Sequence, residues 1–162
     1  PTEQLEAKYP VLVESYRIRE DSAGAGEHRG GLGAEMVVQA LSPFTVTTRI
    51  DRMHCKPWGL EGGGEAAGNG IAIRHKGVWD NDLPNAKIFN VRLERGDAYK
   101  MLSGGGGGFG SPLRRDPAKV AHDVREGYVS LAAARELYGV VLDDHLNVQQ
   151  AETLALRTKA LT

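Results

Sequence analysis

Five consecutive glycines, Gly104 to Gly108, followed by Phe109 and Gly110, constrain this chain more than any other feature. They form the densest of three clusters; the others are AGAGEHRGGLG at 23–33 and GLEGGGEAAGNG at 59–70. Glycine accounts for 21 of the 162 residues, close to double the usual share of about 7%. A flexible linker or a collagen-like repeat would spread such residues or space them regularly, whereas here each cluster lies between segments with strand character. The clusters therefore read as ordered turns. A phosphate-cradling loop would need a Lys and a hydroxyl at fixed spacing and a helix starting at once. Ser111-Pro112 follows instead, and no strand–helix–strand unit surrounds the run. The favoured reading is a close approach of backbone to backbone, at which a side chain on Gly106 is expected to clash.

Around the clusters the apolar pattern changes period. VLVESYRIRE at 11–20 alternates as a half-buried strand does, and AEMVVQALSPFTVTTRI at 34–50 divides into two strands at Ser42-Pro43, because proline cannot donate to a ladder. Shorter strands are predicted at 71–77 and within 87–102, the latter broken by a turn at Arg95-Gly96-Asp97, so the first 110 residues read as all-β. Beyond them, Asp116 precedes Pro117 as an N-cap before a proline at the first helical position. Gly127 interrupts the helical run, Ser130 starts a second helix closed by Gly139, and NVQQAETLALRTKAL at 147–161 makes a third, with Leu154 and Leu161 seven apart. The predicted fold class is α+β: a β-rich body over residues 10–110 with Gly-rich loops, followed by two or three short C-terminal helices, in a single domain over 1–162.

Composition excludes several function classes. Twenty Lys and Arg against 21 Asp and Glu leave a net charge of -1, which offers no polyanion-binding surface and argues against nucleic acid. The sole cysteine, Cys55, cannot form an internal disulfide, no apolar run reaches membrane-spanning length, and the polar opening PTEQLEAKYP is no signal peptide. A cytoplasmic location away from membranes is the resulting expectation; the absence of Met before Pro1 points to a processed product or a fragment. His28, His54, His75, His122 and His145 are scattered without ligand spacing, so no metal site is predicted.

Two stretches hold the candidate site residues. In the first, His28 and Arg29 sit beside Gly30 and Gly31, where backbone amides and a guanidinium could hold an anion; the alternative is that Arg29 pairs with an acid such as Asp21 or Glu27 and fixes the loop. In the second, DRMHCKPWG at 51–59, Asp51, Arg52 and His54 could line a pocket or a subunit contact, and Trp58 reads as a buried anchor. Cys55 as a nucleophile would need a base in place, and residues adjacent on a strand point to opposite faces. No catalytic set is legible.

Four colinear blocks resemble one family: YPVLVESYRIREDSAGAGEHRGGLG at 9–33, DRMHCKPWGLEGGG at 51–64, LPNAKIFNVRLERGD at 83–97 and LSGGGGGFGSPLRRDPAKVAHDVREGYVSLAAARELYGVVL at 102–142. They are similar to the C-terminal part of hydantoinase B subunits, shared with oxoprolinases and with the large subunits of acetone and acetophenone carboxylases. The resemblance implies one part of an ATP-dependent complex acting on cyclic amides, or in the carboxylase branch on ketones. A hydantoinase A type subunit with an actin-like ATPase fold and the N-terminal portion of the hydantoinase B subunit are then the expected partners. ATP and a divalent metal are expected elsewhere in that complex, and no cofactor on this chain, which alone should be inactive. A non-catalytic assembly module remains the rival reading.

Overall fold

In the computed structural model, which describes residues 1–81, 83 and 85–160, the chain divides into two compact units. The first comprises Pro1–Ile18, Ala34–Cys55 and Gly68–Ser103. Its body is an antiparallel sheet of β1 (Val11–Ile18), β2 (Ala34–Ala40), β4 (Gly70–His75), β5 (Val78–Asp80) and β7 (Ala98–Leu102), in the order β1-β2-β7-β4-β5. A second, two-stranded sheet pairs β3 (Phe44–Val46) with β6 (Val91–Leu93). The break at Ser42-Pro43 and the turn before Asp97 fall where the sequence places them, the latter on a left-handed Gly96 (φ 93°).

Two features of this unit depart from the sequence reading. Thr2–Lys8 is a helix, α1, in a region read as all-β. Its Glu, Gln, Leu, Ala and Lys are good helix formers, with Glu3 in the first turn and Lys8 in the last, and the Val13 N–H donates to the Glu6 carboxylate at 2.7 Å. Strand β1 also carries a bulge: Val13 faces Val38, yet Ser15 faces Val37 and Tyr16 faces Met36. Unbroken alternation would set Tyr16 and Ile18 opposite to Val13; the extra residue brings all three to one face. That face supplies Ile71 and Ile73 to the core, which they share with Ala40, Val46, Ala86 and Leu93.

Asp97 ties two turns of this unit together. Its carboxylate accepts the backbone N–H groups of Lys76 and Glu94, each at 3.0 Å, and lies 3.0 Å from His75 Nδ1. These bonds, the two backbone donors foremost, hold its pKa down from 3.8 to about 2. A carboxyl with a depressed folded-state pKa stabilises the fold above its unfolded value and loses that contribution as pH falls. The stability gap between the native chain and Asp97→Ala is therefore expected to shrink as pH falls from about 4 to about 2. Urea titrations at several pH values measure it, and a gap constant across that range would contradict the assignment.

The second unit comprises Arg19–Gly33, Lys56–Ala67 and the chain from Gly104 onward. Its helical part follows the capping signals closely. Helix α2 (Pro117–Arg125) opens on Asp116, whose carboxylate accepts the Ala118 N–H at 2.9 Å. It closes on Gly127 (φ 69°), with Tyr128 N–H returning to the Asp123 carbonyl and Gly127 N–H to that of Val124. Helix α3 (Leu131–Glu136) opens on Ser130, and Gly139 (φ 61°) lies just past its end. Val120, Val129, Ala134, Tyr138 and Val140 form the core with Ala25. The third helix is α4 (Gln150–Ala160), but Leu154 does not anchor it: that side chain is 70% exposed, and Leu161 lies outside the described residues. Thr153 is the buried contact, accepting the Val141 N–H at 3.1 Å.

The glycine clusters make the remainder of this unit, and they form no regular strand. Backbone bonds run from Gly24 N–H to Gly106, from Gly106 to Gly31, from Gly108 to Gly64 and from Gly64 to Ala25, at 2.7–3.0 Å. No glycine from 104 to 108 has a positive φ, so backbone freedom is not why glycine stands there. Space is: a Cβ on Gly107 would overlap the Trp58 carbonyl, one on Gly108 the Ala25 carbonyl and one on Gly30 the Gly106 carbonyl. Gly106 itself is the mild case, its Cβ lying 3.2 Å from Gly31 N. Close approach thus accounts for the run, while the critical positions are its neighbours. Trp58 contributes its carbonyl there, and the residue is 71% exposed, so it is no buried anchor.

Candidate functional site

A loop that bound phosphate would have to leave its amides free. The N–H groups of Gly105, Gly106, Gly108, Phe109 and Gly110 instead donate to the carbonyls of Ala67, Gly31, Gly64, His28 and Leu60. The stretch around Arg29 is engaged in the same way. His28 exchanges both backbone bonds with Phe109, and its ring lies 6.2 Å from that of Phe109. The Gly30 N–H donates to Gly24, and the Gly31 carbonyl accepts from Gly106.

Arg29 does pair with an acid, though with neither Asp21 nor Glu27. Its Nε lies 3.2 Å from the buried Asp123 carboxylate, which Arg115 also reaches at 2.8 Å, and its guanidinium stacks over Tyr128 at 5.4 Å. Two cations on one nearly dry carboxylate tie the loop at 27–30 to the end of α2. Asp21 accepts the Ser130 N–H, and Glu27 pairs with Arg114.

In the first unit, Asp51, Arg52 and His54 come together with Cys55 and Lys87 along one surface cleft of about 320 Å³. Asp51 is exposed and bonded to Lys87 Nζ at 2.7 Å, and that bond and charge hold its carboxyl below the ordinary carboxylate value. Arg52 has a left-handed backbone (φ 58°), and its carbonyl accepts the Asn69 N–H while the Asn69 side chain donates to the Asp51 carbonyl. Asp51 also borders two further clefts. One, of about 320 Å³, runs past Thr47, Lys87 and Phe89; the other, of about 410 Å³, is lined by Tyr16, Met36, Arg49, Asn69 and Met101. Segment 47–55 is thus a ridge with hollows along it. Its polar groups face water, without the desolvated surroundings that sharpen catalytic electrostatics, so the arrangement suits recognition. Among the described residues no three His, Cys, Asp or Glu side chains converge as metal ligands do, and no helix is long and apolar enough to cross a membrane. Tyr16, Arg49 and Met101 had no signal in the sequence; strand pairing through Met36 brings Tyr16 and Met101 to one cleft, and the segment after β3 adds Arg49.

The family model described as Hydantoinase B/oxoprolinase matches residues 1–112. This chain belongs to that family. The relationship extends through the helical part: the B component of a putative D-/L-hydantoinase from Pseudomonas sp. strain NS671 is 29% identical over 97% of the chain. The crystal structure of the ATP-dependent caprolactamase from Pseudomonas jessenii superposes with a TM-score of 0.84 at 30% identity over 98% of the chain. The nucleotide-free structure of an acetone carboxylase superposes with a TM-score of 0.81 at 29% identity over 99%. The chain spans about a quarter of the length of these relatives, 26–28%.

Proposed function

We propose that this chain is the β-rich, helix-capped portion of a hydantoinase B type subunit, and that it supplies architecture and docking surfaces to an ATP-dependent cyclic amide hydrolase. One observation carries the reading. The same fold occurs, at nearly equal similarity, in a caprolactamase and in an acetone carboxylase, which supports an architectural part common to both; the hydantoinase and caprolactamase relatives favour the amide branch. The open clefts and the engaged amides of the glycine layer agree with that role. ATP use and amide opening then belong to the rest of the assembly: a hydantoinase A type ATPase and the remaining portion of the hydantoinase B polypeptide. The isolated chain is expected to hydrolyse neither ATP nor hydantoins, and to co-purify from its native source with both partners. Turnover above a purified blank, or native material sedimenting as a bare 17.5 kDa monomer, would overturn the reading.

A further inference from the structure

The bulge in β1 has a result that the core does not use. It turns Tyr16 and Ile18 onto the apolar face of the sheet, but only part of that face is covered. Along the cross-strand row Ile71, Met101, Met36, Tyr16, Ile71 is 3% exposed, Met101 36% and Tyr16 67%, with Met36 partly buried between the last two. Ile18 is half exposed at the same end. The hollow there is the cleft of about 410 Å³, floored by Met36 and Met101 and bordered by Arg49. Methionines give such a floor an adaptable surface for large apolar side chains. Among the described residues Arg49 is the one cation lining that cleft, and it differs from Arg17, Arg74, Arg92 and Lys87 of this unit, which pair with Glu35, Glu14, Glu94 and Asp51. Arg49 has no such partner among the described residues.

We infer that this uncovered end of the sheet is a docking surface for a polypeptide segment of the hydantoinase B type subunit outside these 162 residues, apolar and carrying a carboxylate that meets Arg49. The inference rests on the proposed membership in a larger subunit: about three quarters of the length of the relatives lies outside the part this chain matches. A bulge leaves a residue out of the ladder and is kept where it re-aims side chains. Here the re-aimed pair would stand in water unless a further segment covered it. Asp51, the acid on the same cleft, is already bonded to Lys87, which leaves Arg49 as the charge that sets the segment's carboxylate and register.

Hydroxyl-radical footprinting compares the isolated chain with the native assembly. Oxidation of Tyr16 and Met101 is expected to fall about tenfold in the assembly. Benzoylphenylalanine in place of Tyr16 should then cross-link, on irradiation of the assembly, to a hydantoinase B peptide outside this chain. Arg49→Glu should speed dissociation of that segment about tenfold, with Arg49→Lys and the exposed Arg95→Glu near native. An adduct to a second copy of this chain, to the ATPase subunit or to a peptide within these 162 residues overturns the inference, as does an Arg49→Glu assembly of native lifetime. An assembly that leaves Tyr16 and Met101 as reactive as in the isolated chain overturns this inference alone; recovery of the chain without any other subunit overturns the proposed function as well.

Discussion

Gly108→Ala is expected to cost the glycine-layered unit about 3 kcal/mol, at the upper end of overpacking penalties. The added methyl would meet the Ala25 carbonyl, which is backbone and cannot rotate away. Relief requires the segments to part, and with them go the bonds from Gly108 N–H to Gly64 and from Leu60 N–H to Gly108. Gly107→Ala should behave alike, against the Trp58 carbonyl. The control lies in the same layer. Gly31 has open space where its Cβ would stand and no positive φ, so Gly31→Ala should stay within about 0.5 kcal/mol of native. Gly106→Ala should fall between. Urea unfolding followed by circular dichroism ranks the four; equal effects at Gly31 and Gly108 would refute the account of why glycine is needed.

Asp123→Ala is expected to be comparably severe, at about 3–5 kcal/mol, the range for removing one partner of a buried ion pair. The Asp123 side chain is 5% exposed, and the side chains of its two partners, Arg29 and Arg115, are 17% and 12% exposed. Without it two cations remain close together in a poorly solvated place, and Arg115 Nε already lacks a hydrogen-bond partner. Asp123→Asn keeps an acceptor but no charge and should lie between Ala and native. Raising the salt concentration should recover part of the loss by screening the two cations. A shift below about 1 kcal/mol for the alanine variant would mean that the pair contributes no more than an exposed one.

Local physics made much of this protein legible. A proline that cannot donate splits 34–50 into two strands, and a glycine turn separates 91–93 from 98–102. Asp116 and Ser130 cap helices because their side chains accept the amides those helices leave open. Each of these rules acts within a few residues, so a single sequence suffices to apply it. Helix α1 obeys the same kind of rule, since its residues favour a helix and its end charges suit the helix dipole. The family relationship was legible as well, because four blocks keep their order along the chain.

What decides the rest is which segments meet, and no spacing along the chain reports that. The sequence alone determined that Gly104–Gly108 must admit a close neighbour; only the tertiary structure decided that the neighbours are the carbonyls of Trp58 and Ala25, so that Gly107 and Gly108 matter more than Gly106. Arg29 was legible as a cation needing an acid, but Asp123 stands 94 residues away. Tyr16, Arg49 and Met101 carry no shared motif. A one-residue bulge, set by pairing with β2, puts Tyr16 on Met101's face of the sheet, since a shift of one residue in a strand exchanges its two faces.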